Sequence, residues 1–193
     1  MDDLGPEAVL PLLRGRFGRP YTWVPTCAST QALVPADAPE GAVVAADEQT
    51  AGRGRLGRRW EAPAGTSLLF SLALRPSVPS ERLPELSPAA AQAVADAIAA
   101  RTGIDATVKY PNDVLLRGRK VAGILGEARE GRVVLGVGVN VNVRAKELPT
   151  AGTPPTSLLL ELGAPIARAA LLADVLEALE HRCDEWTAAL AQS

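Results

Sequence analysis

Ala106-Thr107-Val108-Lys109-Tyr110-Pro111-Asn112-Asp113-Val114-Leu115-Leu116-Arg117-Gly118-Arg119-Lys120-Val121-Ala122-Gly123-Ile124-Leu125-Gly126-Glu127, with Val133 to Val141 close behind, is the stretch on which the architecture turns. It holds four runs that read as strands: Ala106 to Lys109, Val114 to Leu116, Lys120 to Glu127 and Val133 to Val141. Arg117-Gly118 and Glu130-Gly131 stand where two-residue hairpin turns belong, so consecutive strands are expected to pair antiparallel. Upstream, Ser67 to Leu74 reads as a further strand, ended by Pro76, and Leu86 to Ala100 as an alanine-rich helix stopped by Gly103. Extended segments are expected at Tyr21 to Val24 and Ala42 to Ala45, and short helices over 7–14 and 28–36. Downstream, Ser157 to Leu162 and Ile166 to Leu190 have helical apolar spacing, with Pro165 at the start of the second. With no internal repeat and no linker, the expectation is one α+β domain over 1–193, a mixed sheet flanked by helices.

Composition narrows the function. The chain has 193 residues, 47% hydrophobic and 22% charged, enough to bury one core. No apolar run approaches the ~20 residues that span a bilayer, and the acidic, glycine- and proline-broken start lacks the features of a secretory signal. A cytoplasmic setting is therefore expected. A net charge of −2 gives no global reason to expect nucleic acid or a membrane as partner. Cys27 and Cys183 read as free thiols; neither has a histidine nearby in sequence except His181, on an amphipathic helix. Only Lys109, Lys120 and Lys146 are lysines, so two of them close together invite a chemical explanation.

Three segments carry chemistry. Gly52-Arg53-Gly54-Arg55-Leu56-Gly57-Arg58-Arg59-Trp60 packs four arginines and three glycines into nine residues ending in an indole. Glycines let backbone approach a ligand, guanidiniums bind carboxylate or phosphate, and the indole offers a flat apolar surface. An anion-binding loop that orders on its ligand is expected; a solvated loop or an arginine–glycine RNA-binding segment has similar composition. It is no P-loop, because the lysine and hydroxyl of that motif are missing. The second segment runs from Lys109 to Asp113 and resumes at Arg119-Lys120, placing two lysines, an amide and a carboxylate on what should be neighbouring strands. Asn112-Asp113 is equally compatible with an ordinary Asx turn. Gly123 and Gly126 inside a strand point to close approach by a ligand or another backbone. The third, Gly136-Val137-Gly138-Val139-Asn140-Val141-Asn142, alternates bare or polar positions with valine: one face for packing, one left open as a pocket floor.

In this order, together with Ser29-Thr30 and Gln49-Thr50-Ala51, these segments resemble the biotin protein ligases over roughly residues 20 to 145. The resemblance implies a fold like the catalytic core of class II aminoacyl-tRNA synthetases and lipoate ligases. It implies an enzyme that uses ATP and Mg²⁺ to activate biotin as biotinyl-5'-AMP, then transfers it to a lysine of a biotin carboxyl carrier protein. The resemblance places biotin against Ser29, Thr30, Gln31, Gln49 and Gly52, with Gly123, Leu125, Gly136 and Gly138 shaping the slot. Arg53 and Arg55 face the carboxyl and phosphate, Arg58 the triphosphate, and Trp60 the adenine. Lys109, Asn112 and Asn140 fall at ATP positions, Asp113 is the candidate Mg²⁺ ligand, and Lys120 with Arg55 is the catalytic pair. Gln31 stands where asparagine is usual, and Tyr110 where tryptophan is common. The helix-turn-helix region of some members and their C-terminal SH3-like β-barrel are not expected here, so a repressor role is not either. A monomer or homodimer is expected. A lipoate or octanoate ligase is the alternative within the fold; a non-catalytic biotin- or nucleic-acid-binding module is the alternative outside catalysis.

Overall fold

The computed structural model describes residues 4–129, 131–150 and 152–191. Among them, seven strands form one sheet: β1 (Tyr21–Cys27), β2 (Val43–Gln49), β3 (Ser67–Leu74), β4 (Ala106–Lys109), β5 (Asp113–Leu116), β6 (Arg119–Arg129) and β7 (Arg132–Asn140). Their order is β1-β2-β3-β7-β6-β5-β4, antiparallel throughout except for the parallel β1–β2 pair. Helices α1 (Pro6–Val9), α2 (Thr30–Leu33), α3 (Leu86–Thr102), α4 (Leu158–Leu162) and α5 (Arg168–Ala191) complete the fold.

The meander forms as its turns dictate. Arg117 and Gly118 both take positive φ, 48° and 77°, the backbone of a tight β5–β6 hairpin. At the β6–β7 turn Glu130 lies outside the described residues, while Gly131 has φ of 76° and Arg129 pairs with Arg132. Strands β3 and β4 have the expected bounds, and α3 ends on Gly103 in the left-handed conformation.

The helix expected over 7–14 is shorter, α1 followed by a 3₁₀ turn at Leu10–Leu12 that contains Pro11. That over 28–36 reduces to the single turn α2, since Pro35 lies just beyond it and Ser29 is extended. The last helix starts at Arg168, because both ends of the Asn142 side-chain amide engage the main chain of Ile166, Nδ2 donating to its carbonyl and Oδ1 accepting from its N–H, and keep it out of the helix.

The sheet's two faces divide the labour. Leu68, Phe70, Leu72, Leu135, Val137, Val139, Ala122 and Ile124 pack with α3 and α5 into the main core. On the other face a small cluster of Val34, Ala38, Ala42, Val44, Ala73 and Val134 seats the α2 segment. Next to it, Gly136 and Gly138 of β7 and Gly123 of β6 leave the sheet bare. No helix among the described residues is long and apolar enough to cross a membrane.

Candidate active site

A cleft of about 360 Å³ opens over that bare face. Its inner end is built by the α2 segment and β2. Thr30 receives two contacts with Gln49 Oε1, its backbone N–H donating at 2.7 Å and its Oγ1 at 3.1 Å, and Oγ1 also bonds Ser71 Oγ at 2.8 Å. The Gln49 carbonyl is thereby used, which leaves its Nε2, near Gly52, as the donor end of the side chain. Gln31 has the opposite polarity: its Nε2 donates to the carbonyls of Leu125 (3.0 Å) and Val134 (3.4 Å), and Oε1 is left to accept. Its side chain lies on Gly136, where a Cβ would meet Gln31 Cδ at 2.9 Å. The extra methylene relative to asparagine thus fits only because β7 carries a glycine there. Ser29, Gly138 and Leu125 also line this end.

The arginine–glycine loop folds back across the mouth as a small hairpin. Arg53 bridges to Arg59, Gly54 N–H donates to Arg58 O at 2.7 Å, and Trp60 N–H to Gly52 O at 3.0 Å. At the tip Leu56 has φ of 58° and is 84% exposed. Two contacts hold the loop down: Arg53 to Glu127 at 3.1 Å and Arg55 to Asn112 Oδ1 at 3.1 Å. Arg58 and Arg59 also line the cleft, and neither makes an ion pair among the described residues. Gly52 lies outside the main cleft; a Cβ there would sit 2.4 Å from Trp60 O, so its role is to let the two arms of the loop cross.

Trp60 lies on the bare sheet. A Cβ at Gly138 would meet its ring at 2.6 Å and one at Gly123 at 3.0 Å, so the indole packs on these two glycines and walls the slot. Its Nε1 is buried with no hydrogen-bond partner among the described residues, a situation that costs about 1–3 kcal/mol and that a ligand acceptor would relieve.

Lys120, at the start of β6, reaches into the cleft between Asp113 Oδ1 at 2.7 Å and the Trp60 ring, 5.6 Å from its centroid. Asn112 donates to Ile124 O at 2.9 Å, and Asn140 to Thr156 O at 3.0 Å. Lys109 does not join them. It ends the edge strand β4, with β5 between it and β6, and is not itself in the cleft lining; its Nζ donates at 2.9 Å to Oγ1 of Thr153, a residue of the outer wall. Among the described residues no three His, Cys, Asp or Glu side chains gather to hold a metal, and Asp113 is already paired with Lys120. Burial pushes the Cys27 thiol up, away from thiolate character, and it does not line the cleft.

Sequence reasoning missed Phe70, Glu61, and a strap whose Pro149, Gly152, Thr153 and Pro155 form the outer wall. A run with three prolines between β7 and a helix was the available signal.

The profile of the biotin/lipoate A/B protein ligase family matches residues 25–143, a span that contains every one of these cleft elements except the strap. The chain belongs to this family. Among curated relatives, the bifunctional ligase/repressor BirA of Bacillus spizizenii is 42% identical over 152 residues, covering 76% of this chain and 47% of its own length. The biotin–[acetyl-CoA-carboxylase] ligase of Mycobacterium tuberculosis is 41% identical over 152 residues, covering 76% and 56%. This member of the biotin/lipoate ligase family therefore spans about half the length of the curated relatives it matches. A solved biotin protein ligase from Aquifex aeolicus, in complex with biotin and ATP, has a TM-score of 0.78 and 32% identity, covering 86% of this chain and 70% of that one.

Proposed function

We propose that the chain is the catalytic domain of an ATP-dependent biotin–protein ligase, which activates biotin as biotinyl-5'-AMP and passes the biotinyl group to a lysine of a biotin carboxyl carrier protein. The observation that carries this reading is the sorted polarity of the cleft. Its inner end offers an acceptor on Gln31 and a donor on Gln49, the complement of a cyclic urea with N–H and C=O groups, over an apolar floor of glycine and indole. Its mouth offers Lys120, Arg55 and Arg58. A lipoyl dithiolane has no N–H for Gln31 Oε1, which favours biotin over lipoate or octanoate.

In the first step a carboxylate oxygen attacks the α-phosphorus of ATP and pyrophosphate leaves. Two anions meet, and Lys120 and Arg55 offset their repulsion. In the second, the carrier's ε-amine attacks the acyl carbon, AMP leaves, and the same cations stabilise the oxyanion. The arginine hairpin excludes water from the mixed anhydride. Neither step needs a covalent enzyme intermediate, consistent with the raised Cys27 thiol. A single carboxylate suits Mg²⁺ only when phosphates complete its coordination, so Asp113 would hold a metal brought with the nucleotide, whose charge would offset that of the triphosphate.

The test is mass spectrometry after incubation with ATP, Mg²⁺ and biotin, then with a carboxyl carrier domain. Biotinyl-AMP and a biotinylated carrier are expected. Binding of biotin without AMP release would identify a binding module instead, and turnover of lipoate in preference would move the substrate.

A further inference from the structure

We propose that Glu161, a carboxylate of α4 that does not line the cleft, is the positioning residue that fixes Lys120 for adenylate formation. The inference rests on the role just given to Lys120.

Lys120 is held at an irregular place in the sheet. The β5–β6 register shifts between Val114 and Leu115, so Val114 faces Ala122 while Leu115 faces Lys120, and Val121 is left without a partner. Such bulges re-aim the neighbouring side chain. On its other side Lys120 has no β7 partner, because that ladder begins at Ala122. Its main chain is held instead by the strap: Lys120 N–H donates to Pro154 O at 2.8 Å, and Thr156 N–H donates to Lys120 O at 2.8 Å. Where Lys120 stands therefore depends on where the strap stands.

Among the described residues the strap has no strand partner beyond this one bridge to Pro155, and α4 anchors it. The Glu161 side chain is fully buried, and its Oε1 accepts from Thr156 Oγ1 at 2.6 Å and from Arg119 at 2.7 Å, while Oε2 accepts from Arg117 at 3.3 Å. Arg117 lies in the β5–β6 turn and Arg119 immediately precedes Lys120. One carboxylate thus ties the strap on one side of Lys120 to the hairpin on the other. Three bonds to charged or hydroxyl donors are what a buried carboxylate requires, and their convergence on the flanks of one lysine goes beyond what anchoring a five-residue helix needs. Displacement of a reacting group by about 1 Å can cost on the order of a hundredfold.

The experiment measures biotin-dependent adenylate formation in wild type, Glu161→Gln, Lys120→Ala and the double variant, with biotin affinity and thermal melting alongside. Glu161→Gln is expected to lower kcat about ten- to a hundredfold, with KM for biotin changed less than about twofold. In the Lys120→Ala background the same change should have no further effect, because the group it positions is gone. A merely structural role would instead lower the rate by the same factor in both backgrounds, or weaken biotin binding in parallel, and either result overturns the proposal. An unchanged rate in Lys120→Ala alone would overturn the assignment of Lys120 and this inference with it. Should Glu161→Gln not fold, Thr156→Val and Thr156→Ser carry the test. Valine should reproduce the loss in kcat and serine should restore it, whereas equal activity in the two would count against the hydroxyl tie.

Discussion

Placing a methyl group on the slot floor, Gly138→Ala, asks directly whether the bare face of β7 is where biotin lies. Gly138 has ordinary φ, so alanine is not strained by its backbone, and its neighbours Val137 and Val139 keep the core face unchanged. The added Cβ would lie 2.6 Å from Trp60 Cε2, 2.9 Å from Cζ2 and 3.0 Å from Cδ2, where ordinary contact begins at 3.4 Å. The indole must lift by about 0.8 Å or tilt, narrowing the slot it walls. Overpacking of this kind costs roughly 1–3 kcal/mol. If that cost falls on the liganded state, biotin affinity drops about five- to a hundredfold, at about 1.4 kcal/mol per factor of ten. Calorimetric titration of biotin against both proteins measures it, with a melting curve to confirm that the variant folds. Gly126→Ala is the control on β6: its Cβ meets Ser87 Oγ at 3.1 Å, the far end of a small rotatable side chain, and affinity within about twofold of wild type is expected. Wild-type biotin affinity in a folded Gly138→Ala would refute the placement of the ligand on this face.

Lys120→Ala should cut biotinyl-AMP formation about 10²- to 10³-fold while biotin binding falls much less, since its charge acts mainly on developing phosphate and acyl oxygens; an unchanged rate of AMP release would remove the lysine from the mechanism. Arg55→Gly removes the guanidinium proposed to face the intermediate's carboxyl–phosphate junction, and a charge-assisted contact there is worth on the order of 1.5–3 kcal/mol, so the activated intermediate should escape roughly ten- to a hundredfold faster and label serum albumin beside the carrier; labelling confined to the carrier would count against that role. Cys183 gives a pH signature away from the site. Burial pushes its thiol up to about 12, so the unfolded chain loses this proton first, near the ordinary value of 9.0, and stability present below that pH declines as pH rises toward 12. Urea midpoints at pH 8 and 10.5 should show that decline, and Cys183→Ala should flatten it; an identical pH dependence in the variant would refute the assignment.

Much of the fold was legible because its signals are local. A strand ended by Pro76, a helix stopped by Gly103, and an Arg117-Gly118 hairpin all follow from what a few adjacent residues permit. Strands β1 and β2 run further than expected, to Cys27 and Gln49, because those two residues pair in a parallel ladder across a crossover that no local pattern announces. The start of α5 escaped for a similar reason: Asn142, 24 residues upstream, holds Ile166 out of the helix.

In the site, residue types were legible and their arrangement was not. The sequence by itself determined that a glycine-bared strand face, an arginine–glycine–tryptophan loop and the Lys120 segment exist, because each is a matter of local composition and alternation. Only the tertiary structure decided that Gln31 presents its carbonyl and Gln49 its amide, that Trp60 lies on Gly123 and Gly138, that Lys109 reaches Thr153 on the outer wall, and that Glu161 reaches both flanks of Lys120. The polarity of an amide or the direction of a long side chain depends on which distant main-chain groups fall within about 3 Å, and contacts between residues separated by 40 to 100 positions leave no trace in the periodicity of one chain.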